Sequence, residues 1–224
     1  MKDDIYIDEL VRNYPKLAHL GAAIGESIRL LHQCYLDQKK IMTCGNGGSA
    51  SDASHIVGEL MKGFALSRAM TPKQKELYGE RIPDDIQDMS LHLQQGIPAV
   101  SLVADQSLIT AIANDQDPDY IFAQQVFSMG QPGDVLIAIS TSGNSANVLN
   151  AAKIAQAKGV KVIALTGKSG GRLKDSATIN INAPSSNVWR IQEYHLPIYH
   201  CLCLSLEDIC FGNRANKERT IARK

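Results

Sequence analysis

Two short segments of the chain combine glycines with hydroxyl and amide side chains, residue types that suit an anionic ligand. The first, residues 44–49, reads CGNGGS, and the second, residues 140–145, reads STSGNS. Each follows an apolar run and precedes a helical pattern, so the N–H groups of a helix start would be available to an anion. Two such turns in one chain predict a phosphorylated, polyhydroxylated ligand.

Side chains capable of acid–base chemistry and metal binding lie on two predicted helices. His55 and Glu59 are four residues apart on the helix after the first turn, so they share one helix face. Gln192 and His200 lie on the last helical segment. A surface hydrogen bond accounts for many His–Glu pairs at this spacing, and a histidine among apolar neighbours, such as His200, is often a core residue. The position of His55 and Glu59, two turns beyond an anion site, favours a functional role.

The spacing of the glycines argues against two cofactor motifs. Gly45, Gly47 and Ala50 formally match the dinucleotide fingerprint, which also needs an acidic residue about 20 positions later, at the end of the second strand. The next predicted strand ends near Val103, which is too late. The Gly-Lys-Ser sequence at residues 167–169 lacks the upstream glycine of a P-loop, because residue 162 is valine. The sequence therefore indicates neither a nicotinamide enzyme nor a P-loop protein.

Near-continuous apolar runs alternating with helical patterns predict a five-stranded parallel sheet covered by helices on both faces. The predicted strands are residues 41–44, 99–103, 135–139, 162–166 and 178–182. Both polar turns then lie at the carboxyl edge of the sheet, where α/β proteins bind their ligands. The fold class is therefore a single α/β domain over residues 1–224.

Four further regions frame this sheet. Residues 1–38 form an N-terminal helical region, whose apolar stripe over residues 17–35 predicts one amphipathic helix. Residues 64–96 are polar and interrupt the alternation of apolar strands and helical patterns. We therefore interpret them as an insertion, with a helix over residues 84–95. A long helix is predicted over residues 188–211, kinked or loosened by Pro197. Residues 213–224 form a basic tail.

Composition limits the classes of partner and compartment. The chain has 224 residues, and its 23 Lys and Arg residues equal its 23 Asp and Glu residues, so no net charge attracts nucleic acid or a membrane. No apolar run approaches the roughly 20 residues of a membrane span. The five cysteines are odd in number and mostly lie in apolar segments, which indicates free thiols in a reducing cytoplasm.

Taken together, these motifs resemble the sugar isomerase (SIS) domain family, and within it the phosphoheptose isomerase group. The resemblance runs from about residue 41 to residue 211, apart from residues 64–96. It depends on both polar turns and on four further blocks: Ala-Asn-Asp at 113–115, Gly-Asp-Val at 133–135, Ala-Leu-Thr-Gly at 164–167, and Arg-Ile-Gln-Glu at 190–193 with His195 and His200.

The resemblance implies roles for particular residues. The substrate-binding residues would be Asn46, Gly47, Gly48, Ser49, Glu59, Asn114, Asp115, Ser140, Thr141, Ser142, Ser145 and Gln192. Glu59 and His200 would be the acid–base pair. His55, Glu59, Gln192 and His200 would bind one zinc ion per subunit, held loosely because a glutamine oxygen is a weaker zinc ligand than the usual ones. The implied reaction converts sedoheptulose 7-phosphate, a phosphorylated seven-carbon sugar, to D-glycero-D-manno-heptose 7-phosphate, the first step of activated-heptose biosynthesis.

Two further expectations concern partners. The chain also resembles a non-catalytic protein of the same fold that binds a bacterial replication initiator, notably around residues 201–203 and 211–212, so a binding module is the alternative function. Gln192 and His200 are eight residues apart, about 12 Å along a regular helix. Either Pro197 distorts that helix or the two ligands come from different subunits. We expect active sites shared between the subunits of the homotetramer that the family implies.

Overall fold

Five parallel strands form the central sheet in the order β2–β1–β3–β4–β5, in a computed structural model that describes residues 4–212. The strands are β1 (Ile41–Cys44), β2 (Ala99–Ser101), β3 (Val135–Ser140), β4 (Lys161–Thr166) and β5 (Ile179–Asn182). β1 pairs with both β2 and β3, so the strand order reverses beside β1. In open α/β sheets this reversal leaves a crevice at the carboxyl ends of the strands.

Nine α-helices surround the sheet within residues 4–212. They are α1 (Ile5–Asn13), α2 (Gly21–Leu36), α3 (Gly48–Met61), α4 (Pro72–Gly79), α5 (Ile86–His92), α6 (Gln106–Asp115), α7 (Ile121–Met129), α8 (Ala146–Ala157) and α9 (Val188–Phe211). Buried side chains of α1, α2, α3 and α9 pack on one face of the sheet, and those of α7 and α8 pack on the other. The predicted single α/β domain, with a parallel sheet covered on both faces, is confirmed.

The side chains of β3 show why its sequence is apolar throughout. Val135, Ile137 and Ile139 point into the core beneath α2, α3 and α9, whereas Leu136 and Ala138 point into the core beneath α7 and α8. Successive side chains of a strand face opposite sides of the sheet. A strand buried on both sides therefore has no solvent-facing position, and its sequence does not alternate.

The N-terminal region differs from the single helix predicted over residues 17–35. A 3-10 segment, Pro15–Leu20, precedes α2. Side chains three residues apart align on one side of a 3-10 helix. Leu17 and Leu20 therefore both reach the core that Ile24 and Ile28 of α2 also fill.

The ends of the other strands lie close to the predicted ones, except at β2. This edge strand ends at Ser101 instead of residue 103, because the N–H of Ala104 donates to the Ser101 carbonyl at 3.2 Å and the chain turns there. β4 begins one residue before the predicted start and β5 one residue after it. Differences of this size are ordinary at element ends.

The two ends of the segment of residues 64–96 lie next to each other. Ala69 and Gln94 form an isolated antiparallel bridge, and the Gln95 N–H donates to the Arg68 carbonyl at 2.7 Å. The segment carries α4 and α5, and α5 is shorter than the helix predicted over residues 84–95. It ends at His92 because Gln94 and Gln95 are used to pair the two ends of the segment.

A buried ion pair anchors the start of this segment. Arg68 Nε donates to Glu207 Oε1 at 2.7 Å, and the two side chains are 0% and 1% exposed. The Glu207 carboxylate also accepts the backbone N–H groups of residues 64, 65 and 66. Arg68 donates to the carbonyls of Glu59 and Leu60 in the last turn of α3. The pair therefore joins the end of α3, the start of the segment and α9.

The last helix, α9, is continuous through Pro197, so the proline does not divide it. Its His195 is completely buried, and the ring Nε2 lies 3.2 Å from the carbonyl oxygen of Thr166 at the end of β4. Burial lowers the pKa of His195 to about 4, although the hydrogen bond to the Thr166 carbonyl acts in the opposite direction. His195 is therefore a neutral structural side chain at neutral pH.

Two further predictions concern membrane spans and the C-terminal tail. In the described part of the chain, no helix has the length and apolar character needed to cross a bilayer. The basic tail predicted over residues 213–224 lies outside the described residues.

We expect Glu207→Gln to destabilise the protein by about 3–5 kcal/mol, because it leaves the buried Arg68 charge without its partner. Urea unfolding followed by circular dichroism measures the change. The matched control is Glu193→Gln on the same helix, whose exposed pair with Arg190 should contribute less than about 1 kcal/mol. Equal effects of the two substitutions would contradict this account of the buried pair.

We also expect the unfolding free energy to fall between about pH 6.5 and pH 4 because of His195. Its folded-state pKa lies below its unfolded value, so the unfolded chain binds more protons over this range and is favoured as the pH falls. The contribution is at most about 3 kcal/mol. The measurement compares the pH slope of unfolding for the wild type and His195→Gln. A variant with the wild-type slope would show that His195 does not titrate on unfolding.

Candidate active site

The first polar turn connects β1 to α3. α3 starts at Gly48 after its N-cap residue, Gly47, and the N–H groups of Ser49 and Ala50 donate to the carbonyls of Asn46 and Gly47 at 3.0 Å. Asn46, Gly47 and Gly48 are exposed, whereas Ser49 is buried. A Cβ at Gly48 would lie 2.5 Å from Nε2 of Gln192, so the Gln192 side chain would have to move if a larger residue replaced this glycine. The turn thus places the exposed backbone of Gly47 and Gly48 beside an amide side chain from α9.

The second polar turn connects β3 to α8. Ser140 and Ser145 lie at its two ends, with their hydroxyl oxygens 3.0 Å apart. Gly143 has φ +65°, a conformation that favours glycine, and it packs against the backbone of Gly170 and Gly171. α8 starts without a side-chain hydrogen bond from its N-cap residue, Ser145. This hydroxyl-bearing turn therefore leads directly into the start of α8, where the Val148 N–H donates to Asn147 Oδ1 at 2.9 Å.

Reciprocal hydrogen bonds between two amide side chains join the turns. Asn46 Nδ2 donates to Asn147 Oδ1 at 2.8 Å, and Asn147 Nδ2 donates to Asn46 Oδ1 at 3.0 Å. The two turns follow the adjacent strands β1 and β3, at the reversal point of the sheet. The structure thus brings together two segments that are about a hundred residues apart in the sequence.

The predicted Asn114–Asp115 pair lies in the last turn of α6, which follows the edge strand β2. Asn114 Nδ2 donates to Asp115 Oδ1 at 2.8 Å, and both residues are exposed. β2 lies beside β1, on the side opposite β3. The pair therefore belongs to the helix that follows the neighbour of β1, the strand that leads into the first turn.

The acid–base candidates form a cluster on α3, two turns beyond its start. His55 Nε2 lies 3.1 Å from Glu59 Oε1, and Lys62 Nζ donates to Glu59 Oε2 at 3.0 Å. The Glu59 side chain is 13% exposed and that of His55 is 42% exposed. Glu59 is therefore a carboxylate held between two nitrogen-bearing side chains while still reachable from solvent.

His200 of α9 belongs to the same cluster. Its ring contacts those of His55, Tyr199 and Phe64, with centroid distances of 5.1, 5.1 and 5.3 Å. Burial lowers the pKa of His200 and the neighbouring His55 adds to this, whereas Glu59 acts in the opposite direction. The buried Nε2 of His200 has no hydrogen-bond partner among residues 4–212. His200 also borders a cleft of about 220 Å³ between α1 and α9.

Gln192 is separated from the other three predicted metal ligands. Its side chain lies over Gly48 at the start of α3, whereas His200 lies against His55, which is seven residues further along that helix. Because α9 is continuous, Gln192 and His200 remain about 12 Å apart along its axis. The four residues therefore form two groups within one chain.

The fit of a metal to this chain follows from these positions. His55 Nε2 and Glu59 Oε1 lie 3.1 Å apart, and the ring of His200, whose buried Nε2 has no hydrogen-bond partner among residues 4–212, packs against the ring of His55, so the donor types suit zinc. Within residues 4–212, however, no three His, Cys, Asp or Glu side chains are arranged to hold a metal. One chain thus supplies part of a ligand set.

Several residues at the site were not found from the sequence. Asp52 precedes His55 by three residues on the same face of α3, so helical spacing could have indicated it. Tyr199 contacts Asp52 and His55 through its hydroxyl group. Neither Tyr199 nor Asn147 gives a local signal, because their partners are about a hundred or more residues away in the sequence.

Comparisons with known proteins agree with this geometry. The family described as "SIS domain" matches residues 89–167. A phosphoheptose isomerase of Shewanella denitrificans is 40% identical over 195 residues, which are 86% of each chain.

Two solved structures extend the likeness to the fold. Phosphoheptose isomerase GmhA from Neisseria gonorrhoeae is 34% identical, with a TM-score of 0.70 over 90% of this chain and 94% of that one. A phosphoheptose isomerase from Francisella tularensis is 31% identical, with a TM-score of 0.72 over 91% of this chain and 95% of that one. The chain belongs to the phosphoheptose isomerase family of SIS-domain proteins.

Proposed function

We propose that this protein is a phosphoheptose isomerase that converts sedoheptulose 7-phosphate to D-glycero-D-manno-heptose 7-phosphate. The observation that carries the proposal is the junction of two anion-binding turns at the sheet reversal point, with an acid–base cluster on the helix that leaves one of them. The 40% identity to a phosphoheptose isomerase over most of both chains supports it.

The second turn suits the phosphate end of the substrate. Ser140, Thr141, Ser142 and Ser145 supply hydroxyl donors, and the open start of α8 supplies backbone N–H groups. Asn46, Gly47 and Gly48 of the first turn, with Ser49 and Gln192 beside them and with Asn114 and Asp115, suit the sugar hydroxyls. Binding the unreactive phosphate in this way positions the reacting carbons.

Glu59 and His200 suit the two proton transfers of an aldose–ketose isomerisation. The Glu59 carboxylate takes the proton from C1 and returns it to C2, while His200 moves a proton between the oxygens on these carbons. A neutral His200 can accept and donate such a proton, and burial keeps its pKa low. Lys62 Nζ donates to Glu59 Oε2 at 3.0 Å, and this hydrogen bond helps to hold the carboxylate of the proposed base in place.

Zinc is the cofactor that the ligand set suits, with His55, Glu59 and His200 of one subunit and Gln192 as the binding residues, one ion per subunit. When bound, it supplies Lewis-acid stabilisation of negative charge on the substrate oxygens. The paired His55 and Glu59 and the unpartnered His200 nitrogen support this assignment. The weak glutamine ligand suits a loosely held ion.

We propose a homotetramer with shared active sites, and the position of Gln192 supports a site shared between subunits. Because Gln192 cannot reach His200 within its own chain, the fourth ligand would be Gln192 of the partner subunit. Trp189 and Leu196 are 66% and 42% exposed, and they lie on α9 on either side of Gln192. Large exposed apolar side chains beside a ligand residue support a subunit contact there.

The remaining expectations concern the alternative function and the compartment. The relatives described above are phosphoheptose isomerases, and they give no support to a module that binds a replication initiator. All five cysteines are free thiols, four of them buried, which supports a reducing cytoplasm as the place of action.

Glu59→Gln and His200→Gln should each lower turnover of sedoheptulose 7-phosphate by about 10²- to 10⁴-fold, because each removes one proton-transfer group. The assay measures aldose product with the purified protein, with and without added zinc. The control is His92→Gln on the exposed surface of α5, which should keep the wild-type rate. If turnover falls less than about tenfold in both variants, Glu59 and His200 are structural residues and not the proton-transfer groups. If the wild-type protein forms no aldose product, with or without added zinc, the proposed isomerase function is refuted.

Mixing inactive Gln192→Ala and His200→Ala subunits should restore activity if sites are shared. A hybrid site can then combine an intact His200 from one subunit with an intact Gln192 from the other. The mixture is prepared by unfolding and refolding the two variants together, and turnover is compared with that of each variant alone.

The control mixture pairs His55→Ala with His200→Ala. These two side chains contact each other within one subunit, so every site would keep one defect and no activity should return. Recovery in the control alone, or a fully active monomer, would contradict the shared site.

A further inference from the structure

Four polar side chains form a continuous chain of contacts beside the acid–base cluster. Tyr199 Oη lies 3.3 Å from Asp52 Oδ1 and 3.0 Å from His55 Nδ1. The other ring nitrogen of His55, Nε2, lies 3.1 Å from Glu59 Oε1. Asp52, His55 and Glu59 are at positions i, i+3 and i+7 of α3, so they share one face, and the buried Tyr199 reaches that face from α9.

The tyrosine hydroxyl has one proton and two neighbouring acceptors. If Tyr199 donated to His55 Nδ1, the Asp52 carboxylate would lose its hydrogen bond from Tyr199, and its buried Oδ2 has no partner in the described part of the chain. A buried carboxylate without a donor is costly. Glu59 has no such need, since Lys62 already donates to its Oε2. The tyrosine proton therefore belongs to Asp52.

This arrangement determines where the proton of His55 lies. With its own proton directed at Asp52, the Tyr199 oxygen can only accept, so His55 Nδ1 must carry a hydrogen and donate it. The neutral imidazole then has its lone pair on Nε2, directed at the Glu59 carboxylate oxygen. Two lone-pair-bearing atoms 3.1 Å apart suit a shared cation between them.

We propose that Asp52, acting through the hydroxyl of Tyr199, is a positioning residue that holds His55 in its Nδ1-protonated form and so presents Nε2 and Glu59 Oε1 together to a divalent cation. The cation-binding part rests on the zinc site of the proposed function, whereas the proton position does not. Outer contacts of this kind set the tautomer of a histidine ligand, and their removal typically weakens metal binding about 10- to 100-fold.

The first test reads the His55 tautomer in metal-free protein labelled with ¹⁵N-histidine, by long-range ¹H–¹⁵N NMR at about pH 8, where an ordinary imidazole is neutral. His55→Gln identifies the signal. The wild type should show the Nδ1-protonated form. Tyr199→Phe, which removes only the oxygen, should shift His55 towards the Nε2-protonated form, because Glu59 is then its one acceptor in this chain of contacts. Tyr194→Phe, on the same helix, is the matched control and should leave the signal unchanged.

The second test measures the zinc dissociation constant by competition with a chromophoric chelator. Tyr199→Phe should raise it about 10- to 100-fold, and Tyr194→Phe should not change it. Asp52→Asn keeps the tyrosine but removes the charge that attracts its proton, so it should change the tautomer and the affinity in the same directions. This second variant decides the question if Tyr199→Phe fails to fold.

The outcomes separate this inference from the proposed function. A wild-type His55 protonated on Nε2, or a tautomer that neither substitution alters, would overturn it, even if zinc binding weakened. A wild type that binds no zinc would refute the zinc site and the cation-binding part together. The NMR signal would then still decide the role of Asp52 and Tyr199.

Discussion

The packing of α9 along α3 is the constraint on which the site depends. Gln192 lies over the first residue of α3, Tyr199 and His200 contact its middle at His55, and Glu207 binds the backbone just after its end. The two helices therefore run in the same direction in a fixed register. A shift of that register would disturb the glycine turn, the histidine cluster and the buried Arg68–Glu207 pair together, so the ion pair at one end helps to hold the chemistry in the middle.

The sheet supplies the second constraint, since β1 and β3 are neighbours although their turns are distant in the sequence. The anion turns meet there, but the acid–base cluster lies about two turns further along α3, or about 10 Å. One small sugar phosphate would have to span that distance, or a second subunit would have to supply groups near one of the two places. Gln192 and His200 are separated in the same way along α9, and the proposed shared site would account for both separations.

Two of the five buried side-chain atoms without a hydrogen-bond partner among the described residues lie where the chemistry is proposed. Asp52 Oδ2 and His200 Nε2 are buried without hydrogen-bond partners among the described residues, both within the His55 cluster. Buried polar atoms in folded proteins are nearly always paired, so these two neighbouring atoms are candidates to meet a ligand, an ion or a second subunit. The Arg68–Glu207 pair shows the opposite situation, with its carboxylate fully used in anchoring the chain.

The sequence by itself determined the parallel sheet, both polar turns and the helix face shared by His55 and Glu59, because strand burial, glycine turns and helical spacing are local patterns. It could not determine which distant elements meet. The Asn46–Asn147 pair, the Tyr199 hydroxyl between Asp52 and His55, and the Arg68–Glu207 pair join residues about a hundred or more positions apart. Helical spacing already placed Gln192 and His200 about 12 Å apart, but only the structure showed that α9 continues through Pro197 and keeps that distance, since a helix fixes the distance between its own residues.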